Sequence, residues 1–381
     1  MVGVTEIPEA LGRRSEFRGF GRCPRNSVGW LVGGVSVTTG SSAMPSLAFD
    51  FDAVFRSRPA ILAPMEDVSD VVFRRICRER GAHLCVTEFV NVEGLLRGCR
   101  IAARKLRIPA DDAPTAIQIY GSDPERLAEA ARVAEAAGPA FIDINCGCWV
   151  SKIARRGAGA GWLREPTAMV EMVRRVAQSV SLPVTVKTRI GWGPESEMPI
   201  VDLARRLEDA GARALTVHCR TAQMGHSGAA DWSWAGKARE VVRIPVIVNG
   251  DIVSAVSARR ALDETGCAGV MIGRHAIEHP WIFREVRSLL DTGVEHAPPT
   301  PAERFAVCRE HLRAHAAHRG ELNGVRAARR NLSGYLKGLP GAASLRQKLV
   351  RTDSLDGCIA LLDEYEAGPP RARDAAAAAS A

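Results

Sequence analysis

The stretch DINCGCWVSK (residues 143–152) carries two cysteines, Cys146 and Cys148, with a single glycine between them. Such a pair could form a metal site, a disulfide or a reactive thiol. Two thiols supply only half of a tetrahedral zinc site, and no His or Cys pair elsewhere in the sequence completes it. A disulfide across one intervening residue would be strained. The pattern therefore predicts no metal and two free thiols, with Cys146 packed as a small apolar side chain.

Other side chains that can bind ligands or move protons directly follow short apolar runs. A lone Lys or Arg in such a place is more often solvated than functional. Here, however, polar groups follow seven of eight runs, which predicts one shared site. The candidates at these positions are Pro64, Met65, Glu66, Gln118, Asn145, Cys148, Lys187, Arg189, His218, Arg220, Asn249, Gly250, Asp251, Gly273 and Arg274.

The elements that would bring these residues together alternate regularly along the chain. Segments such as DPERLAEAARVAEAAG have apolar residues at three- and four-residue steps and end in glycine, as helices do. Eight β-type runs alternating with helices over about 230 residues predict an α/β fold, a (β/α)8 TIM barrel whose strand ends share one face. A doubly wound sheet is disfavoured because no G-x-G-x-x-G motif follows the first run. The runs span residues 60–64, 83–88, 115–120, 141–145, 183–189, 214–220, 245–250 and 269–274.

The last two strand ends suggest a phosphate site. Glycine-containing turns at 249–251 and 273–274 expose backbone N–H groups, and the arginine of the second turn adds a positive charge. Lys187, Gln118 and His218 suit the polar edge of a flat cofactor. FMN meets both requirements. The spacing favours FMN over a simple phosphorylated substrate, which remains the alternative.

Nine segments that occur in order between about Ala60 and Arg351 carry a family resemblance. They are APMEDVSD, VTEF, IQIYGSDPE, DINCGC, VKTRIGW, VHCRT, IPVIVNGDI, GVMIGR and PWIFREV, reinforced by YLKGLPGA. Together they resemble the tRNA-dihydrouridine synthase family, most of all its bacterial B-type branch. The resemblance implies an FMN-dependent barrel followed by a helical domain. It also implies reduction of a tRNA uridine to 5,6-dihydrouridine, with NADPH (or NADH) as hydride donor.

The resemblance also implies roles for individual residues. Asn145 matches the asparagine that contacts the target base, and Arg189 and Arg220 are assigned to the substrate as well. Glu66 is added to the cofactor set, although B-type members tend to have alanine there. The other residues implied to contact FMN are Pro64, Met65, Gln118, Lys187, His218, Asn249, Gly250, Asp251, Gly273 and Arg274.

Cys148 matches the catalytic acid of the family. Reduction of the C5=C6 bond of uracil needs a hydride at one carbon and a proton at the other, and reduced flavin can deliver hydride from N5 to C6. A neutral thiol, with an ordinary pKa near 8.5, can donate the proton to C5 from the opposite face. Trp149 stands in place of the usual proline and Cys219 in place of the usual glycine. Neither substitution removes a reacting group. The sequence does not show how Trp149 affects the loop.

The region after about residue 300 has helical periodicity and a basic composition. Residues 304–351 include nine Arg and two Lys against two Glu. Arg326, Arg329 and Arg330 share one helical face by their spacing. A solvated face is the alternative, but beside a site for RNA we favour phosphate binding. Tyr335 could stack on a base, although a core tyrosine is the more frequent case.

Length and composition set the broad organisation. The chain has 381 residues, 46% of them hydrophobic, and a formal net charge of +8, which allows a polyanionic partner. Scattered cysteines indicate a reducing compartment, and no apolar run reaches the roughly 18–20 residues of a membrane helix. We predict a cytoplasmic monomer. The predicted domains are a disordered extension (1–45), the barrel (46–295), a helical tRNA-binding domain (296–366) and a disordered Ala-rich tail (367–381).

Three alternatives stay open at this stage. The extension contains Arg13-Arg14 and an apolar run like those of twin-arginine export signals, but glycines interrupt the run; Met44 is an alternative natural start. The barrel could instead be an FMN oxidoreductase acting on a small pyrimidine. It could also be a catalytically impaired relative that only binds tRNA, Trp149 having disabled the loop.

Overall fold

The computed structural model describes residues 49–194 and 198–368. The predicted extension over 1–45, the alternative start at Met44 and residues 369–381 of the predicted tail therefore lie outside the described residues. Within the described ranges, no helix is long and apolar enough to cross a membrane.

Parallel strands close into a barrel. The sheet order is β2-β1-β9-β8-β7-β6-β5-β4-β3, and a further pairing of β2 with β4 closes the ring. All eight predicted strands are present, which confirms the (β/α)8 TIM barrel. The unpredicted β3 has two residues, too few for a pattern, and pairs with β4 beyond the end of β2. The strands are β1 (Ala60–Leu62), β2 (Leu84–Val86), β3 (Val90–Asn91), β4 (Thr115–Tyr120), β5 (Ile142–Cys146), β6 (Val184–Arg189), β7 (Ala214–His218), β8 (Val246–Asn249) and β9 (Gly269–Ile272).

Aromatic side chains fill the end of the barrel where the strands begin. Phe51 and Phe55 of the first helix are buried there, and the Phe51 ring lies edge-on to Phe141 at 5.5 Å. This packing leaves the opposite end, where the strands finish, as the open mouth. The fold therefore places the candidate residues at the functional end of a barrel.

The helices that surround the barrel begin and end at residues suited to those places. Asp123 caps one helix by accepting hydrogen bonds from the backbone N–H groups of Glu125 and Arg126, and Gly266 ends another in the left-handed conformation. The helices are α1 (Phe51–Arg56), α2 (Val71–Glu79), α3 (Val92–Leu96), α4 (Arg100–Lys105), α5 (Pro124–Glu135), α6 (Ser151–Ala154), α7 (Pro166–Ser179), α8 (Ile200–Asp209), α9 (Ser233–Glu240), α10 (Ala255–Thr265), α11 (Arg274–Glu278) and α12 (Ile282–Thr292).

Helices alone make up the described C-terminal region. Thr300 and Glu303 form a capping box at its start, and the first of its helices packs on both the second and α2. Tyr335 is fully buried and hydrogen-bonds His311, so it is a core residue and does not stack on a base. The boundary at 295/296 remains a prediction. The helices are α13 (Pro301–Arg319), α14 (Glu321–Tyr335), α15 (Ala342–Arg351) and α16 (Leu355–Ala367).

Candidate active site

A chain of hydrogen bonds runs from the mouth down into the barrel. Asn145 Nδ2 donates to Gln118 Oε1 (2.8 Å), and Gln118 Nε2 donates to Asp143 Oδ2 (2.6 Å). Thr185 Oγ1 donates to the other carboxylate oxygen of Asp143 (2.5 Å). Burial raises the pKa of Asp143 to about 6, although the hydrogen bonds from Thr185 and Gln118 oppose the shift. Asp143 was not among the residues predicted from the sequence, where its only signal is an acid inside an apolar run.

Lys187 presents a positive charge at the mouth. Its Nζ donates to Asn249 Oδ1 (3.0 Å), and Asn249 Nδ2 donates to the Met271 carbonyl (2.8 Å). Burial, helped by the nearby Arg189, lowers the pKa of Lys187 to about 8. Lys187 therefore remains mostly protonated at neutral pH, and the hydrogen bond to Asn249 orients its ammonium group.

The loop after β5 separates the two cysteines. Asn145 Oδ1 accepts hydrogen bonds from the backbone N–H groups of Gly147 (3.1 Å) and Cys148 (2.9 Å). Cys146 is fully buried on β5, as expected for a packed residue, and burial raises its pKa well above the usual range. Cys148 is only partly buried, and desolvation also raises the pKa of its thiol. The Cys148 thiol thus keeps its proton at neutral pH, and the residue lies in the loop that follows the mouth end of β5.

Arg189 ties two loops of the mouth together. Its side chain donates to the carbonyls of Gly147 (2.9 Å), Thr221 (2.8 Å) and Gly225 (2.8 Å), which belong to the loops after β5 and β7. Arg189 is 2% exposed, and burial lowers its pKa to about 10, so it remains charged. The structure gives this residue a positioning role; contact with a substrate remains a prediction.

Arg220 is equally buried and is engaged by an acid. Both oxygens of Asp251 accept from its Nη2 (2.7 and 2.6 Å), as does the Gly228 carbonyl (2.7 Å). Its Nη1 lies 3.3 Å from His218 Nε2. Burial and the surrounding cations push the pKa of His218 far below its usual range, so His218 is neutral. Arg220 was also assigned to the substrate, and that role too remains a prediction.

The ends of β8 and β9 carry the two glycine turns from which a phosphate site was predicted, and phosphate binding there remains a prediction. Gly250 has φ of +116°, and a β-carbon there would lie 2.9 Å from the Ala230 β-carbon, so glycine is required. Arg274 is half-exposed, with Nη2 3.7 Å from Asp251 Oδ1. Burial disfavours the charged form of Asp251, yet the Arg220 hydrogen bond and the Ala230 N–H leave its pKa below the ordinary value. Two guanidinium groups thus face one carboxylate, which leaves this corner positive.

The residues after β1 complete the mouth. Pro64, Met65 and Glu66 are partly buried, and a β-carbon at Gly273 would lie 3.9 Å from Met65 Sδ, so the ends of β1 and β9 meet. Glu66 Oε1 accepts from Lys105 Nζ (2.5 Å), a partner that sequence analysis missed. Burial raises the pKa of Glu66 against the opposing effect of Lys105. Because Lys105 engages this carboxylate, a contact with the cofactor remains a prediction for Glu66.

The three arginines of α14 do not act as one free face. Arg326 and Arg329 both form ion pairs with Asp353 (2.8 and 2.6 Å), whereas Arg330 donates to the Asp67 carbonyl (3.4 Å). A surface depression of about 440 Å³ lies between the barrel and α14. It is lined by Asp67, Arg104, Arg319, Asn323, Arg326, Ala327 and Arg330. Arg104 and Arg319 were missed because they lie far apart in the sequence.

A larger cleft, of about 590 Å³, opens at the other end of the barrel, where β8 and β9 begin. The described residues that line it include Arg239, Arg243 and Asp52 but none of the candidates predicted from the sequence. The chemistry-bearing side chains converge at the mouth instead, so the site is placed there.

Comparison with known proteins shows the family to which the chain belongs. A family model described as "Dihydrouridine synthase (Dus)" matches residues 61–366. A probable tRNA-dihydrouridine synthase 1 of Synechocystis is 39% identical over 303 residues, covering 79% of this chain and 84% of the relative. A tRNA-dihydrouridine synthase B of Pseudomonas aeruginosa is 38% identical over 306 residues, covering 80% and 92%. Morphinone reductase overlaps 64% of this chain and 88% of its own at 15% identity and a TM-score of 0.43, which supports no argument about function. The resemblance seen in the sequence is thereby confirmed, and the chain belongs to the dihydrouridine synthase family of oxidoreductases.

Proposed function

We propose that the protein reduces the C5=C6 bond of a specific uridine in tRNA to 5,6-dihydrouridine, with FMN as its flavin and NADPH as reductant. The observation that carries this proposal is the arrangement at the mouth. The protonated thiol of Cys148 lies in the loop after β5, where Asn145 accepts a hydrogen bond from the Cys148 backbone N–H. β5 pairs with β6, the strand that carries Lys187. Relatives named tRNA-dihydrouridine synthases support the substrate class.

The donor set of the mouth fits FMN. Arg274 and the turns at Gly250 and Gly273 suit the single phosphate, in a corner where positive charge exceeds negative. Lys187 suits the ring edge that becomes negative on reduction, and neutral His218 adds a polar group without adding charge. Bound there, FMN would supply the hydride, which it receives from NADPH.

Cys148 holds the proton that completes the reduction. The pKa of its thiol is raised, so Sγ carries a proton at neutral pH. The hydride brings two electrons and one hydrogen to C6, and the Sγ proton is transferred to C5, so uracil gains two hydrogens. Solvent then reprotonates the thiolate. Asn145 orients the loop and, by its match to the family, contacts the base.

The basic depression beside the mouth supports an RNA substrate. Arg104, Arg319, Arg326 and Arg330 line it, between the barrel and α14. Phosphate oxygens favour such clustered guanidinium groups, and this binding weakens with salt. A uridine must leave the folded tRNA to enter the mouth, in the manner of base flipping, while the flanking backbone stays on this basic surface. We place this reaction in the cytoplasm, where tRNA is its substrate.

The test is turnover by the purified protein. Unmodified tRNA, NADPH and the flavin-loaded protein should yield dihydrouridine at a defined position, detected by nucleoside mass spectrometry. The flavin released on denaturation should be FMN by chromatography. Free uridine in place of tRNA distinguishes a small-pyrimidine oxidoreductase. Turnover of uridine at the rate of tRNA, or bound RNA that stays unreduced while the flavin is reduced, would contradict the proposal.

A further inference from the structure

An exposed tryptophan stands beside the candidate proton donor. Trp149 directly follows Cys148 and is 40% exposed, as is its neighbour Val150 (41%). Tryptophan normally buries most of its large apolar surface, so exposure at the mouth of a site needs an explanation. Proton donation does not require an aromatic side chain here.

The indole lies on a rigid platform. Arg189 donates to the carbonyls of both Gly147 (2.9 Å) and Gly225 (2.8 Å), and so links the loop that carries Trp149 to the loop after β7. A β-carbon at Gly225 would lie 3.4 Å from three atoms of the indole ring system. One face of the indole therefore packs on the Gly225 backbone, which has φ of +58°.

A second ring fixes the orientation of the indole. His226 meets Trp149 edge-to-face, with centroids 5.6 Å apart and an interplanar angle of 87°. Burial, helped by Arg274 and other nearby cations, lowers the pKa of His226 to about 4, so its ring is neutral at pH 7. The result is a preorganised aromatic surface in a cationic neighbourhood. Such a combination suits a nucleobase attached to phosphates.

We propose that the exposed surface of Trp149 stacks on an unpaired base that neighbours the target uridine in the RNA. This inference rests on the proposed function, because it takes the target base to be at Cys148. The indole and the thiol belong to consecutive residues, so a base beside the flipped uridine is within reach. Stacking on Trp149 would hold the RNA strand in place after the target uridine has left the stacked bases of the RNA.

The test compares RNA affinities of the flavin-loaded protein without NADPH. Trp149→Leu should raise the Kd for unmodified tRNA roughly five- to a hundredfold, the range for loss of one base–aromatic stack. Trp149→Phe should recover most of the affinity because it keeps a flat ring. Trp234→Leu is the matched control. Trp234, in the first turn of α9, is also partly exposed, but it packs against the hydrophobic core and Lys237 Nζ lies 4.2 Å from its ring centroid. Its replacement should leave the Kd unchanged.

RNAs with an abasic nucleotide identify the stacked base. Abasic sites are placed in turn on the 5′ and 3′ sides of the target uridine. At one position the abasic site should weaken binding to the wild type but add little to the defect of Trp149→Leu. Fully additive losses at both positions, or wild-type affinity in Trp149→Leu, would overturn the proposal.

Two further outcomes distinguish a failure of the stacking proposal from a failure of the proposed function. If Trp149→Leu binds RNA normally but is reduced slowly by NADPH, the indole serves the nicotinamide and the stacking proposal is wrong. If the wild type makes no dihydrouridine while the Kd pattern holds, the proposed function fails and the stacking surface stands. The affinity measurement does not depend on turnover, so the two failures are distinguishable.

Discussion

Arginines at the barrel mouth and arginines on α14 have opposite environments. Arg189 and Arg220 are each 2% exposed and are hydrogen-bonded to loop carbonyls, with Asp251 as an additional partner of Arg220. The Arg326 side chain is 51% exposed and is paired with Asp353, itself on the surface. Burial makes the first pair structural elements of the site, whereas solvent screens the charges of the second region.

This contrast shows that the residue type alone does not identify a substrate contact. At the mouth, guanidinium groups hold the loops that position Cys148 and Trp149. On α14, they remain available to phosphates but are partly neutralised by an acid. Substitutions at the mouth should therefore have larger effects than substitutions on α14. Those at the mouth should change reaction rates and stability, and those on α14 should change the salt dependence of tRNA binding.

The largest effect is expected for the thiol at the centre of the mouth. Cys148→Ala should still bind FMN and be reduced by NADPH, because neither step uses the thiol. Reoxidation by unmodified tRNA should slow by about 10²–10⁴, the range for loss of a general acid. Cys146→Ala is the control and should keep near-normal rates, apart from a small packing loss. Single-turnover flavin absorbance measures the reoxidation rate of both variants. Slow reoxidation in Cys146→Ala with a normal rate in Cys148→Ala would mean that Cys146 is the proton donor.

The next effect concerns a buried positioning charge. Arg220→Met should lower the free energy of unfolding by about 2–3 kcal/mol, because Asp251 and the Gly228 carbonyl lose their partner. Arg97→Met is the matched control, since that arginine pairs with Glu93 at 75% side-chain exposure. The control should change stability by less than about 1 kcal/mol. Urea unfolding measures the free energy of unfolding of both variants. Equal losses of stability in Arg220→Met and Arg97→Met would contradict the distinction between buried and surface arginines.

A smaller, pH-dependent effect is expected for Lys187. Its pKa is lowered to about 8 in the folded protein, so the unfolded chain holds more protons between about pH 8 and 10. The penalty for burying the charge is full below pH 8 and is relieved as the pH rises. Relative to Lys187→Met, the flavin-free wild type should gain about 1–3 kcal/mol of stability from about pH 7.5 to 10. A pH-independent difference between the two unfolding free energies would contradict this.

The smallest effects belong to α14. Asp353→Asn should release Arg326 and Arg329 and strengthen tRNA binding, and each arginine recruited should steepen the log–log salt dependence by about 0.7–0.9. Replacing Arg326, Arg329 and Arg330 together with Ala should weaken binding and flatten that slope. Asp363→Asn is the control, because its partner Arg309 does not line the basic depression. If Asp353→Asn and the triple-arginine variant both keep the wild-type slope, the arginines of α14 are a solvated surface that does not bind phosphates.

Local patterns predicted the barrel because each strand and helix carries its own signal. Each of the eight apolar runs contains a strand. Such runs are typical of parallel strands because both faces of the strand are buried. Asn145, Lys187 and His218 lie at strand ends, and parallel strands bring such ends together.

Partners distant in the sequence could not be predicted. Arg189 reaches Gly225, 36 residues away, and Arg220 reaches Asp251, 31 residues away. Both arginines were assigned to the substrate because the sequence shows a charge at a strand end but not what neutralises it. Asp143 was missed for the opposite reason, because an isolated acid in an apolar strand gives no periodic signal.

The most direct test uses tRNA from cells that lack this gene. We expect nucleoside mass spectrometry to show dihydrouridine missing at one mapped position. The wild-type gene and Cys146→Ala should restore it, and Cys148→Ala should not. An unchanged set of dihydrouridines in the deletion strain, or restoration by Cys148→Ala, would contradict the account of the barrel mouth as a uridine-reducing site.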